Sequence, residues 1–331
     1  MRKPLRRSVV MATTPTIASY LFVLTCVLWI NSTVCRAASQ EPVHSSQNKF
    51  ATFGTDWGSS SRHARRRAEE ALPLQQMAES DQLAIQKSLQ STTLYRRLPV
   101  ELFACDGDLL AFSLDKPEAI VDIWRLLGIS RLSLDPTGPD QWQFSDGYGT
   151  VGQLRLAYRE QRQNGGMLVF HGKGAYTGPL SPKNLTGGCV LMVRYREAEP
   201  TVDGRLRQAI QVDAFLDMDG IGLEIVTRTL QPLIARSAAA NLHEICLFMA
   251  SLSDATIANP HAVATLAGRL TRTSESDRKK LATIASTVSS RRNARPNHLA
   301  DNEGNVNADQ VSVDLASRWL PSDELDHFQK Q

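Results

Sequence analysis

Gly188-Cys189-Val190-Leu191-Met192-Val193-Arg194-Tyr195-Arg196, the run Leu206 to Leu216 behind it, and the apolar stretch that continues to Leu252 together decide the fold. In the first segment Cys189, Leu191, Val193 and Tyr195 share one side, and Arg194 and Arg196 lie on the other, the pattern of a half-buried strand. In the second, Ile210, Val212, Ala214 and Leu216 oppose Gln211, Asp213 and Phe215, so the apolar set specifies the register. Asp217 and Asp219 then offer helix-capping carboxylates. Beyond them Leu223, Val226, Leu230, Leu233, Ile234, Ala238, Ile245, Met249 and Leu252 keep helical spacing. Pro232 predicts a bend or a break in that helix, because it removes a backbone donor and crowds the preceding turn.

Upstream, Val100 to Cys105 suits a strand, and Asp115-Lys116-Pro117-Glu118 reads as a capped helix start with proline in the first turn. Ile120, Ile123, Trp124 and Leu127 form its apolar face and Gly128 closes it. Gln141 to Phe144, Leu154 to Tyr158 and Met167 to His171 are strand segments joined by the turns Asp146-Gly147-Tyr148-Gly149 and Asn164-Gly165-Gly166. Successive strands with tight turns predict an antiparallel meander. Downstream, Ala262 to Leu270 and Ser274 to Val288 predict two further helices, and Val311 to Leu320 a short one in a polar tail.

Arg2, Lys3, Arg6 and Arg7 precede an apolar run from Ile17 to Ile30 and then Cys35-Arg36-Ala37-Ala38, the layout of a secretory signal peptide. The run is shorter than the roughly 20 apolar residues that span a bilayer, so an uncleaved N-terminal anchor is the alternative to a secreted or periplasmic protein. Loss of residues 1–37 removes five basic residues and no acid, which moves the formal charge from +3 to −2. The basic pI therefore marks the address and not a nucleic-acid partner. Residues 38–93 are rich in Ser, Gln, Arg and Glu and read as a disordered or weakly helical tether, whose cluster Arg62-His63-Ala64-Arg65-Arg66-Arg67 would meet an envelope partner. The organisation expected is a domain over 94–256, additional helices over 257–290 and a mostly disordered tail over 291–331.

No complete catalytic motif is present. Asp217-Met218-Asp219-Gly220 fails as a calcium loop because Phe215 and Val226 stand where its first carboxylate and closing glutamate belong. Gly172-Lys173-Gly174 followed by Pro179 is not a phosphate loop but a strand whose glycines admit close backbone approach, with Lys173 and Tyr176 as the residues that would face a ligand. His243-Glu244 lacks a second histidine, since Leu247 occupies its place. With no GxSxG, P-loop or CxxC, neither a cofactor nor a metal is expected. His171 lies on a strand face with Met167 and Val169, and Asn184-Leu185-Thr186 is a formal glycosylation sequon. Cys105, Cys189 and Cys246 survive signal removal, and Cys189 with Cys246 is the pairing considered beside buried free thiols.

The order strand, helix from Asp115-Lys116-Pro117-Glu118, antiparallel strands, then strand Leu206 to Leu216 into the helix beyond Gly220 resembles the helix-grip arrangement of START-like, or polyketide cyclase and Bet v 1-like, proteins. The segment VDAFLDMDGIGLEIVTRTLQPLIARSAAAN, 212–241, also resembles secreted proteins of planctomycete-type bacteria, a likeness that carries no function. The first resemblance implies an α+β fold in which an antiparallel curved sheet packs on a long C-terminal helix. It implies an apolar small molecule or lipid held between them, near His171, Tyr158, Tyr195, Leu191, Val212, Leu223 and Leu230, and it transfers no catalytic residue. The competing expectation is a noncatalytic envelope protein with a fully packed core.

Overall fold

The structure, a computed structural model, describes residues 58–177, 185–202, 204–219, 223–293, 307–320 and 322–325. It is α+β. The strands are β1 (Leu94–Arg97), β2 (Glu101–Ala104), β3 (Ser133–Gly138), β4 (Gln141–Ser145), β5 (Thr150–Arg162), β6 (Gly165–Tyr176), β7 (Leu185–Ala198) and β8 (Arg207–Asp219). They form one antiparallel sheet in the order β1–β8–β7–β6–β5–β4–β3, with β2 also on β8. β1 and β2 are two pieces of one edge. Leu98 still donates to Val212 O, but Pro99 has no N–H to continue the ladder, so pairing resumes only at Glu101.

Before the meander come α1 (Arg62–Ala71), α2 (Glu79–Gln90), α3 (Gly107–Asp115) and α4 (Pro117–Leu126). After it come α5 (Leu223–Ala258), α6 (Pro260–Gly268), α7 (Glu275–Asn293), α8 (Ala308–Ala316) and α9 (Ser322–Leu325). α4 begins at Pro117 and ends into Gly128, whose φ of 70° a side chain would resist. Asp115 is not its cap. It closes α3, which starts at Asp106 through a carboxylate that accepts the Asp108 N–H, and Lys116 alone separates the helices. Pro232 does not split α5, which runs for 36 residues; one missing donor is a small loss in a helix of that length. Asp217 and Asp219 belong to β8 and not to a cap. Asp217 accepts from Ser91 Oγ at 2.7 Å, tying the end of α2 to the sheet.

The strands are buried on both faces. Leu168, Phe170, Leu191, Val193, Ile210, Val212 and Leu216 point into a core shared with α3, α4 and α5. Val169, Val190, Met192 and Phe215 point the other way, into a second cluster with Tyr95. That cluster is closed by Ala64, Ala68, Leu72, Met77 and Ile85, so from Gly58 onward the segment expected to be a tether is helix and turn packed on the outer face. Alanines carry little signal by hydropathy, yet two of them let α1 lie close to the sheet. Within α1, Arg65 and Arg66 are answered by Glu69 and Glu70 one turn on.

At the C-terminal end, Leu266, Leu270, Leu281, Ala285, Val311 and Leu315 join the inner core. Asp122 of α4 accepts from the N–H groups of Arg272 and Thr273 and from the Thr273 hydroxyl, which anchors the α6–α7 loop. The short helix expected at Val311 to Leu320 is α8, with Trp319 packed beyond it.

On the outer face one carboxylate orders the edge. Asp213, with no exposed side-chain surface, accepts from Tyr95 OH at 2.6 Å, Arg97 Nε at 2.8 Å and Arg194 Nη2 at 2.5 Å. Burial and the neighbouring carboxylate push the Tyr95 hydroxyl well above its usual range, so it remains a donor. Asp213→Ala would leave two guanidinium groups facing each other without a counter-charge. Urea denaturation is expected to show a loss of about 3 kcal/mol, at the low end for a buried ionic partner because both arginines keep some solvent.

Candidate functional site

Between the inner face of the sheet and helices α3, α4 and α5 lies a cavity of about 160 Å³. Leu110, Leu114, Pro117, Ile120, Val121 and Trp124 supply the α3–α4 wall. Leu154, Phe170, Leu191, Val193, Val212 and Ala214 supply the sheet, and Leu242, Ile245, Cys246 and Met249 supply α5. Val193, Val212 and Ala214 are short, which helps leave the space open where two layers otherwise interdigitate. Most of the wall is buried, while Leu114, Pro117 and Ile245 are partly exposed.

Among the described residues, none in the lining carries a formal charge. The Ser113 hydroxyl is already committed to Leu110 O at 2.8 Å, and burial holds the Cys246 thiol far above its usual range, hence protonated. Trp124 meets Phe248 edge to face at 5.8 Å between centroids, and Phe248 meets Trp319 at 5.6 Å, so the wall is braced from behind by the C-terminal segment. A lining of this kind can bind by excluding water from apolar surface.

The residues proposed from sequence divide between two faces. Leu191 and Val212 line the cavity. Tyr195 is on the same face, packed against the core, but outside the lining. Tyr158 is on the opposite face, where its hydroxyl donates to Gln76 Oε1 at 3.0 Å. Strict alternation would have placed it with Leu154 and Leu156. A register shift between Leu156 and Tyr158 makes Ala157 an extra residue and turns Tyr158 outward. Leu223 and Leu230 belong to α5, and their side chains lie outside the described residues.

His171 also faces outward. It is 8 % exposed beneath α2, with Nε2 at 3.2 Å from Ser88 Oγ. Lys173 is exposed on the surface and Tyr176 is packed in the inner core, so neither forms a ligand loop. Gly174 pairs directly with Gly152, and a Cβ on Gly152 would come within 2.4 Å of the Phe144 ring. These glycines serve the ring that crosses them. His243 Nδ1 and Glu101 Oε2 lie 2.9 Å apart, while Glu244 holds Arg318 and Trp319; both pin α5 in place. The sequon at Asn184 lies outside the described residues.

The α3–α4 wall is the part of the site that sequence patterning did not locate. Ile120 and Trp124 were legible as one face of a helix, but nothing in their spacing said which surface that face meets. α3 carried a readable signal in Asp106, whose carboxylate starts the helix. Cys105, Cys189 and Cys246 are free and buried, and burial, partly offset by a hydrogen bond with the Gly172 backbone, pushes the Cys189 thiol up to about 12. Among the described residues no three His, Cys, Asp or Glu side chains are placed to hold a metal ion, and no helix is long and apolar enough to cross a membrane.

No protein-family model matches this chain, and no curated protein matches it either.

Burial, followed by the Lys173 charge, lowers the pKa of His171, against weaker raising effects of Asp81 and Asp217. A lowered folded-state value means that the unfolded chain takes up the proton first. The contribution of neutral His171 to stability is therefore complete above about pH 6.5 and is lost as pH falls toward the folded-state value. Urea midpoints between pH 7.5 and 5 should fall more for the wild type than for His171→Gln, and parallel curves would show that His171 titrates alike in both states.

Proposed function

We propose that this chain is a START-like, helix-grip protein that holds an uncharged apolar small molecule, or the apolar part of a lipid, between its sheet and α5. The element order supports the fold reading: an edge strand, two helices, six further antiparallel strands and then the longest helix, with the first strands paired to the last one. α6, α7 and α8 are additions to that plan. The observation that carries the functional reading is the lining of the cavity, which among the described residues is apolar on all three walls and holds no ionic group.

A void of this size would cost stability if it served no purpose, since each Å³ of unfilled apolar cavity costs about 24 cal/mol. An apolar guest recovers that loss through contact with the walls. A cavity of about 150 Å³ lined by Leu, Ile and Phe is enough to admit a benzene-sized molecule, and this one is of the same order. An apolar lining among the described residues favours carriage or sequestration over reaction, and the presence of the cavity disfavours the alternative of an envelope protein with a fully packed core. The basic N-terminal start and apolar run support export, so the compartment we assign is secreted or periplasmic.

Native mass spectrometry of the full chain is expected to detect a bound apolar molecule, removable by organic extraction. The extracted protein should then bind benzene as an uncharged probe, read by titration calorimetry. Ala214→Leu places extra carbon atoms in the cavity, and it should weaken probe binding at least tenfold while leaving the melting temperature unchanged or higher. Unaltered probe affinity in a folded Ala214→Leu protein would sink this reading.

A further inference from the structure

A second pocket, of about 60 Å³, sits where the end of β2 meets α5 and α7, and it shares no lining residue with the apolar cavity. Its character is opposite. Arg205, Arg291 and Arg292 converge on it together with Asp106 and Asp254, and with Asp108 on Arg291 three guanidinium groups meet three carboxylates, none of which pairs with Arg292.

Two of the three guanidinium groups are held in place by carboxylates. Arg291 Nη2 donates to Asp106 Oδ1 at 3.2 Å and to Asp108 Oδ2 at 2.7 Å. Arg205 Nη1 reaches both Asp254 oxygens at 3.4 Å. Asp106 is itself fixed, because its carboxylate starts α3 and its N–H donates to Ser253 Oγ at 3.0 Å. Arg292 differs. Among the described residues, the other arginines with a buried Nε short of a well-aligned acceptor are engaged: Arg155 Nε lies 2.7 Å from Asp81 Oδ1, and Arg96, Arg194 and Arg278 have other partners. Arg292 is half-buried and makes no hydrogen bond or ion pair among the described residues.

A guanidinium held partly out of water with no counter-ion is costly, and its planar fork matches an oxyanion better than any other common group. We propose that this pocket binds a tetrahedral oxyanion, a phosphate or sulfate group, with Arg292 as its principal partner and Arg291 and Arg205 oriented beside it. The size favours a small group: the pocket, about 60 Å³, is well under half the apolar cavity, room for one compact oxyanion with a few waters. The site is independent of the apolar cavity, so the two readings stand or fall apart.

Thermal shift and titration calorimetry on the full chain, with inorganic phosphate or sulfate against chloride at matched ionic strength, test it. The expected result is saturable stabilisation by phosphate or sulfate, weakened at least tenfold in Arg292→Gln. That variant should melt like the wild type in chloride and bind benzene unchanged, since Arg292 makes no hydrogen bond or ion pair among the described residues and lies outside the cavity. Flotation with vesicles of phosphatidic acid in phosphatidylcholine separates a lipid headgroup from a free oxyanion: capture that requires Arg292 assigns the group to a membrane lipid. Stabilisation equal in wild type and Arg292→Gln, or no saturable binding of either anion and no Arg292-dependent capture, overturns the proposal.

Discussion

Strands β6, β7 and β8 carry apolar side chains on both faces, and the rest of the molecule is arranged to keep both away from water. A sheet with one solvated face would need cover on one side only. Here Leu191 and Val193 require the helical layer built from α3, α4 and α5, while Val190, Met192 and Phe215 require α1 and α2. The two layers are unequal. The inner one is thick, is backed by α6, α7 and α8, and contains the cavity. The outer one is thin and closes through alanines, Leu72, Met77 and Ile85.

Polar groups follow the same division. The described lining of the inner cavity holds no charge, whereas the outer interface buries Asp213 with Tyr95, Arg97 and Arg194, sets Asp81 against Arg155 and places His171 under Ser88. Each of these joins the sheet to the N-terminal segment or to the edge strand. Apolar contact with small residues has little directional preference, and hydrogen-bonded polar groups supply the register that it lacks. Polar specificity on one face and apolar volume on the other leave the inner space open to an uncharged guest.

Most of the elements were legible in the chain. The alternation in 188–196 and 206–216 gave the right partition of faces for β7 and β8, with Ile210, Val212, Ala214 and Leu216 inward and Phe215 outward. The glycine turns marked the meander, and Pro117 and Gly128 bounded α4. Less legible were the pieces whose stability is tertiary. β1 and β3 are short edge segments, and α1 is charged along most of its length with only Ala64 and Ala68 buried, so its amphipathic period sits in a segment whose hydropathy does not announce a packed helix.

By itself the sequence determined the period of each long element, the antiparallel order, and the choice of side chains that must leave water, because these depend on neighbours a few residues apart. Only the tertiary structure decided which of two buried faces a residue joins. The extra residue at Ala157 sent Tyr158 outward, and α2 made a roof over His171 where sequence alone had a ligand contact. The cavity is likewise a property of three elements distant in the chain. Its volume is what remains after α3–α4, β5–β8 and α5 have each buried their own apolar face, and no local pattern records a remainder.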